Sequence, residues 1–128
     1  MTTQYRTPVK IKALRFAVIG LGATLVHILV ALVCLKVAGV HPMVANGVAF
    51  IIANPVSYFA NTIWSFERSA TPQNMARFIS ASILGLVLSV AISGIASAAG
   101  LPDVIGLALV IISLPPLTFL THLLWTYR

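Results

Sequence analysis

Four stretches of this chain are apolar over a greater length than a helix buried in a soluble core needs. They run over Phe16–Ala38, Pro42–Phe66, Phe78–Ala99 and Asp103–Tyr127. The first holds one charge, Lys36, near its end; the second and third hold none; the fourth has its only charge at its first position, Asp103. Runs of about 18 or more such residues read as membrane-spanning helices. At about 1.5 Å per residue, the first run covers roughly 34 Å, enough for a bilayer core. The sequence therefore predicts an all-α integral membrane protein with four transmembrane helices.

Composition excludes the soluble alternative. Hydrophobic residues make up 59% of the chain and charged ones 8%, against about 25% charged in a soluble domain. The mean hydropathy of +1.03 says that the solvent is lipid. The length allows one domain with no soluble domain attached. The first run follows a basic flank, as a secretory signal does, but it is longer than the roughly 7–15 apolar residues of such a signal. It reads as a retained first helix. The single cysteine, Cys34, has no partner for an internal disulfide and reads as a small apolar filler.

The net charge of +6 sets orientation rather than nucleic-acid binding, since no basic patch is interleaved with aromatics. Arg6, Lys10, Lys12 and Arg15 precede the first run, Arg68 and Arg77 lie in the middle loop, and Arg128 ends the chain. With four spans these fall on one side, and only Lys36 falls on the other. Both termini are expected in the cytoplasm, with the protein multi-pass in a bacterial-type cytoplasmic membrane.

The chain also repeats itself. Gly39 and Gly100 mark two tight hairpins, Pro55 and Pro116 sit within runs, and Trp64 and Trp125 close them, each pair 61 positions apart. Arg15-Phe16 opens one half and Arg77-Phe78 the other. After a basic segment 1–14, the domain 15–128 divides into repeat one (15–68) and repeat two (77–128). Each is a helical hairpin entered from the cytoplasm. Two spans per half keep both halves in one orientation, so the repeats are parallel. Trp64 and Trp125 then lie at the cytoplasmic interface, where an apolar ring with a polar edge belongs.

Polar residues within the runs are the informative ones, because each costs free energy in hydrocarbon unless it finds a partner. In the second run Asn54, Ser57, Tyr58, Asn61 and Ser65 recur at helical spacing, and in the fourth Thr118, Thr121, His122 and Trp125 do so. Such residues either bond neighbouring helices or line a polar groove. His27, near the middle of the first run, reads either as a satisfied core histidine or as a headgroup contact. Pro55 and Pro116 read as a bend or a hinge. The small faces Ser82, Gly85, Ser89, Ser93, Ser97 and Gly20, Thr24, His27, Ala31 read as packing. Glu67 and Asp103 are the only acids. That leaves no carboxylate pair for acid–base work, no metal-ligand spacing and no phosphate loop. Neither an enzyme nor a metal or cofactor site is expected.

This layout resembles the GtrA-like family of small four-helix membrane proteins. The resemblance rests on Arg15-Phe16, Gly20, Gly39-Val40, Ala45-Asn46 and Asn61-x-x-Trp64-x-Phe66 with Arg68. It continues through Arg77-Phe78, Gly85, Gly100-Leu101 and Trp125-x-Tyr127-Arg128. It implies translocation of polyprenyl-phosphate-linked sugar, such as glucosyl phosphoryl undecaprenol, for cell-surface polysaccharide synthesis, beside a membrane glycosyltransferase that loads the sugar. His122 stands where the family usually has Asn, and His27 where it often has a polar or acidic residue. On this reading His27, Asn54, Tyr58, Asn61 and His122 line the headgroup route. Arg15, Arg68, Arg77 and Arg128, with Trp64 and Trp125, meet the phosphate at the interface. Membrane lipids surround the chain, and its small enclosed volume leaves room for a homodimer. Two rivals are set beside it. A proton-coupled drug transporter would need a membrane-embedded carboxylate, which is absent. A non-transporting partner that anchors or regulates a glycosyltransferase fits the same residues.

Overall fold

The computed structural model describes residues 6–128, apart from the side chains of Pro42, Met43 and Asp103; residues 1–5 of the basic segment lie outside it. The described residues are helical and contain no strand. They fall into two compact units divided between Ala70 and Thr71.

In the first unit, α1 (Val9–Lys36) packs against α2 (Pro42–Ala60), and α2 runs on into a π-helical turn, π1 (Asn61–Ser65). Helix α1 begins well before the apolar run does. Lys10, Lys12 and Arg15 are good helix formers, so the charged flank continues the helix instead of preceding it. Pro8 precedes the first turn, and its carbonyl accepts from Ile11 N at 3.0 Å and Lys12 N at 3.2 Å. The segment 1–14 is thus part of the first helix from Val9 onward. At the other end Gly39 takes a φ of +61°, which lets the Val40 N–H reach back to the Cys34 carbonyl at 3.2 Å. The close face of α2 is a row of alanines: Ala45, Ala49 and Ala53 are all buried. Their spacing of four puts small side chains on one stripe, where two backbones can approach.

In the second unit, α3 (Pro72–Ala98) packs against α4 (Asp103–Thr121), which continues into π2 (His122–Thr126). Thr71 and Asn74 start α3 with a reciprocal cap: Asn74 N donates to Thr71 Oγ1 at 3.2 Å, and Thr71 N to Asn74 Oδ1 at 2.9 Å. Pro72 occupies the first helical turn. This helix, too, starts ahead of its apolar run at Phe78. Gly100, with φ +73°, turns the chain. The helices touch through small residues: a Cβ on Gly106 would lie 3.4 Å from Ala96 Cβ, and one on Gly85 would lie 3.5 Å from Thr118 Cγ2.

Among the described residues three helices are long and apolar enough to cross a membrane: Val9–Lys36, Pro72–Ala98 and Val104–Thr126. The fourth, α2, is the less apolar by hydropathy and carries Asn46, Asn54 and Tyr58. The apolar residues point outward. Leu21 (69%), Ile51 (70%), Val90 (66%) and Ile112 (72%) are largely exposed. That surface has no soluble counterpart, and with the helix lengths it makes the chain a multi-pass membrane protein.

Candidate functional site

The buried polar residues are not spread along the helices. Asn61, Thr62 and Ser65 belong to π1, and His122 and Thr126 to π2; each is at most 3% exposed. A π-helical turn inserts one residue into the α ladder. Here it closes on Phe66 N to Asn61 O at 2.8 Å and Tyr127 N to His122 O at 3.1 Å. Such turns re-aim carbonyls and side chains and are frequent at functional sites.

Each unit uses its freed carbonyl the same way. Arg15 Nη1 donates to Trp64 O at 2.8 Å, and the guanidinium lies 5.5 Å from the Trp64 ring centre. Arg77 Nη1 donates to Trp125 O at 3.2 Å, and its guanidinium lies 6.0 Å from the Trp125 ring centre. A cation over an indole face is attracted by the ring quadrupole. One arginine near the start of the hairpin's first helix therefore clasps both the carbonyl and the ring of a tryptophan at the end of its second.

One turn deeper the units differ. Asn61 Nδ2 donates to Ser57 O at 2.9 Å and to Ser57 Oγ at 3.1 Å, while Asn61 Oδ1 is buried with no hydrogen-bond partner. The equivalent His122 stacks on Phe78 with ring centres 4.4 Å apart and planes within 9°, and its Nδ1 pairs with Thr126 Oγ1 at 2.9 Å. Phe16, the counterpart of Phe78, meets Phe66 edge-on at 6.1 Å. Ser65 Oγ donates to the Lys12 carbonyl at 2.9 Å and ties π1 to the first turns of α1.

The expected site residues do not all gather. Arg15 with Trp64, and Arg77 with Trp125, come together. Tyr58 is buried one turn from Asn61, and its carbonyl accepts from Thr62 Oγ1 at 2.7 Å. Asn54 lies further along α2, half-buried. His27 is elsewhere: its Nε2 lies 3.3 Å from Asn46 Oδ1, joining α1 to α2. Asn46 precedes Asn61 by about 22 Å of helix at roughly 1.5 Å per residue. The His27–Asn46 pair thus occupies a different depth from Asn61. Arg68 and Arg128 are exposed; Arg68 is held through its backbone N–H, 2.8 Å from Thr62 O.

Sequence reasoning passed over Glu67. It accepts from Thr7 Oγ1 at 2.5 Å and pairs with Arg15 at 2.7 Å, the only ion pair among the described residues. It holds a φ of +54°, the left-handed position that usually falls to glycine just past a helix end. The available signal was a lone acid, next to Arg68, in a loop whose other charges are basic. The hydrogen bond from Thr7, then the one from Arg15, holds its carboxyl below the ordinary value of 4.5. A depressed carboxylate contributes while ionised and stops contributing when protonated. The Thr7–Glu67–Arg15 link should therefore be intact above about pH 4.5 and be lost as pH falls below it. Amide exchange in the first turn of α1, corrected for intrinsic rate, should quicken over that range in the native protein. It should show no such step in Glu67→Gln.

Among the described residues no group of three or more His, Cys, Asp or Glu could hold a metal. A family model for the GtrA/DPMS transmembrane domain matches residues 15–127. The chain is 30% identical to the bactoprenol-linked glucose translocase of Shigella phage SfII over 93 residues, 73% of this chain and 75% of that protein. It is 32% identical, over the same shares, to the prophage bactoprenol-linked glucose translocase homolog of Escherichia coli strain K12. No solved structure matches it.

Proposed function

The chain belongs to the GtrA/DPMS transmembrane-domain family, and from that premise we propose that it moves a polyprenyl-phosphate-linked sugar across the cytoplasmic membrane. The observation that carries this reading is the arrangement found at the end of both hairpins. A half-exposed Arg–Trp clasp stands at the surface, and a buried polar residue, Asn61 or His122, lies one turn deeper. The polyprenyl tail stays in lipid. Only the phosphate and sugar need a polar route, and in each hairpin a charged guanidinium followed by a buried amide or imidazole supplies partners in that order. Arg68, Arg77 and Arg128 would meet the phosphate on the cytoplasmic side, and Arg15 would do so once Glu67 releases it; Asn54, Tyr58 and Asn61 would receive the sugar in the first hairpin and His122 in the second. His27 with Asn46 would serve a deeper step, since the pair lies away from Asn61 along the first hairpin. The relatives named for bactoprenol-linked glucose support this substrate class. The reaction makes and breaks no covalent bond, which suits a chain whose two acids lie outside the helix interiors.

The test is reconstitution of the purified protein in liposomes that carry a polyprenyl phosphoryl glucose. An impermeant reagent then destroys the headgroups exposed outside. Without translocation about half of the lipid is protected indefinitely; with it the protected pool should drain on the timescale of flipping. Drainage no faster than in empty liposomes, for several sugars and with folded protein, would sink the reading and favour a non-transporting partner of a glycosyltransferase.

A further inference from the structure

The two hairpins end in one geometry but in opposite electrostatic states. In the first, the arginine of the clasp is already answered. Glu67 sits 2.7 Å from Arg15 and is held there by Thr7 as well. In the second, the position that corresponds to Glu67 in the 61-residue repeat is Arg128, another cation. The other acid of the chain, Asp103, opens α4, at the opposite end of the second hairpin from the start of α3, where Arg77 lies. Arg77 donates to a backbone carbonyl and lies over an indole ring, and neither contact neutralises it.

Stability does not account for Glu67. A solvent-exposed ion pair stabilises a protein little, and the pair here is half in solvent, with the two side chains 27% and 41% exposed. Against it stands the left-handed backbone at residue 67, which strains any side chain with a Cβ. Glycine would cap this helix end without strain. The carboxylate is therefore placed where its chemistry, not its contribution to folding, is what distinguishes it. It puts an oxyanion on the arginine that faces the interface. That is the group an incoming phosphoester would put there.

We propose that the Arg77–Trp125 end of the second hairpin is a binding site for a phosphoester anion, and that Glu67 closes the equivalent site of the first hairpin by occupying Arg15. This rests on the translocation reading for its biological use, but the asymmetry itself is a statement about two anion sites and can be tested alone. A guanidinium with free donors matches two phosphate oxygens. One whose donor is already shared with a carboxylate must first give that partner up. The pair of hairpins then offers one entry point for a phosphate instead of two equal ones.

The chain has two tryptophans, and each sits on one of the two arginines. Fluorescence can therefore report the sites separately. In Trp64→Phe protein the remaining Trp125 reports the second hairpin; in Trp125→Phe protein Trp64 reports the first. Both are placed in phosphatidylcholine nanodiscs and titrated with geranyl phosphate. Trp125 should respond saturably, and Arg77→Gln should weaken the response by about tenfold or more, a loss near 1.4 kcal/mol. Arg77→Lys should retain part of it. Trp64 should stay silent until Glu67→Gln is added and then respond, a gain that misfolding cannot imitate. Discs of phosphatidylglycerol without geranyl phosphate separate the sources. A Trp125 shift there, dependent on Arg77, assigns the site to ordinary headgroups; its absence assigns it to prenyl phosphate. No Trp125 response to either anion overturns the proposal. So does an equal response of Trp64 with Glu67 intact. If Trp125 responds as stated but no lipid-linked sugar moves in liposomes, the translocation reading fails and the anion site stands. If sugar lipid moves and Arg77→Gln moves it as fast as native, the proposal fails and the reading stands.

Discussion

Asn61→Leu should slow the movement of the lipid-linked sugar by about tenfold or more while leaving the first hairpin close to its native stability. The two halves of this expectation come from one side chain. Asn61 is 1% exposed, and its Oδ1 meets no donor. A buried acceptor left without a partner costs about 1–3 kcal/mol. Its amide nitrogen makes two hydrogen bonds, to Ser57 O and Ser57 Oγ, each worth about 1 kcal/mol net. The gain and the penalty nearly cancel, and leucine keeps the same branched shape and number of side-chain heavy atoms. Unfolding in mixed micelles should therefore shift by no more than about 1 kcal/mol. What leucine removes is a buried acceptor that no donor in the protein occupies and that a sugar hydroxyl could use. Its loss withholds a single hydrogen bond from the moving headgroup, and about 1.4 kcal/mol is a factor of ten in rate. His122→Leu makes the contrast. It strips Thr126 Oγ1 of its 2.9 Å partner and ends the stack on Phe78, so it should lower stability as well as flux. His122→Asn, which reproduces the first hairpin's residue, should recover part of both. Native-rate movement in Asn61→Leu liposomes would remove Asn61 from the route.

Why some of this could be read from the sequence and some could not is a matter of which forces leave a local trace. Long uncharged runs are a direct consequence of lipid as solvent, so the helices were legible. Gly39 and Gly100 were legible because a left-handed turn selects glycine, and both take it. The helix starts were misjudged, because an apolar count stops at the first charge while a helix does not; Lys10, Lys12 and Arg15 extend α1 at no cost. The alanine seam of α2 was hidden for the opposite reason. When nearly every residue is apolar, hydrophobic periodicity no longer marks the packed face. The π-helical turns have no propensity signature. In the sequence they leave only the same spacing in both halves, Asn61-x-x-Trp64 and His122-x-x-Trp125, which a plain α-helix would also carry. His27 was grouped with Asn61 because both are polar and intramembrane, yet its partner is Asn46, on an earlier turn of α2. Glu67 was passed over because a single acid at an interface is ordinary until a backbone angle and two hydrogen bonds single it out.

Ala49→Leu should cost the first hairpin about 1–3 kcal/mol, enough to pull α1 away from α2. Ala49 is fully buried, as Ala45 is one turn before it, and Ala53 follows at 6% exposed. Between helices in lipid there is no hydrophobic drive to offset a poor fit, because the tails are as apolar as the side chains; close packing and hydrogen bonds decide. A leucine in the seam keeps the composition and destroys the fit. Gly47→Leu is the matched control. It adds a larger side chain two residues away on the same helix, at a position with open space around it, and should be neutral or slightly stabilising. The effect of Ala49→Leu should reach further than the seam. The clasp at the end of the hairpin exists only while α1 lies against π1, since Arg15 reaches Trp64 O and Ser65 reaches Lys12 O across that contact. Separation should expose both, and Trp64 emission should change together with the unfolding midpoint. In a molecule with so few charges, small residues set the distance at which its arginines can act.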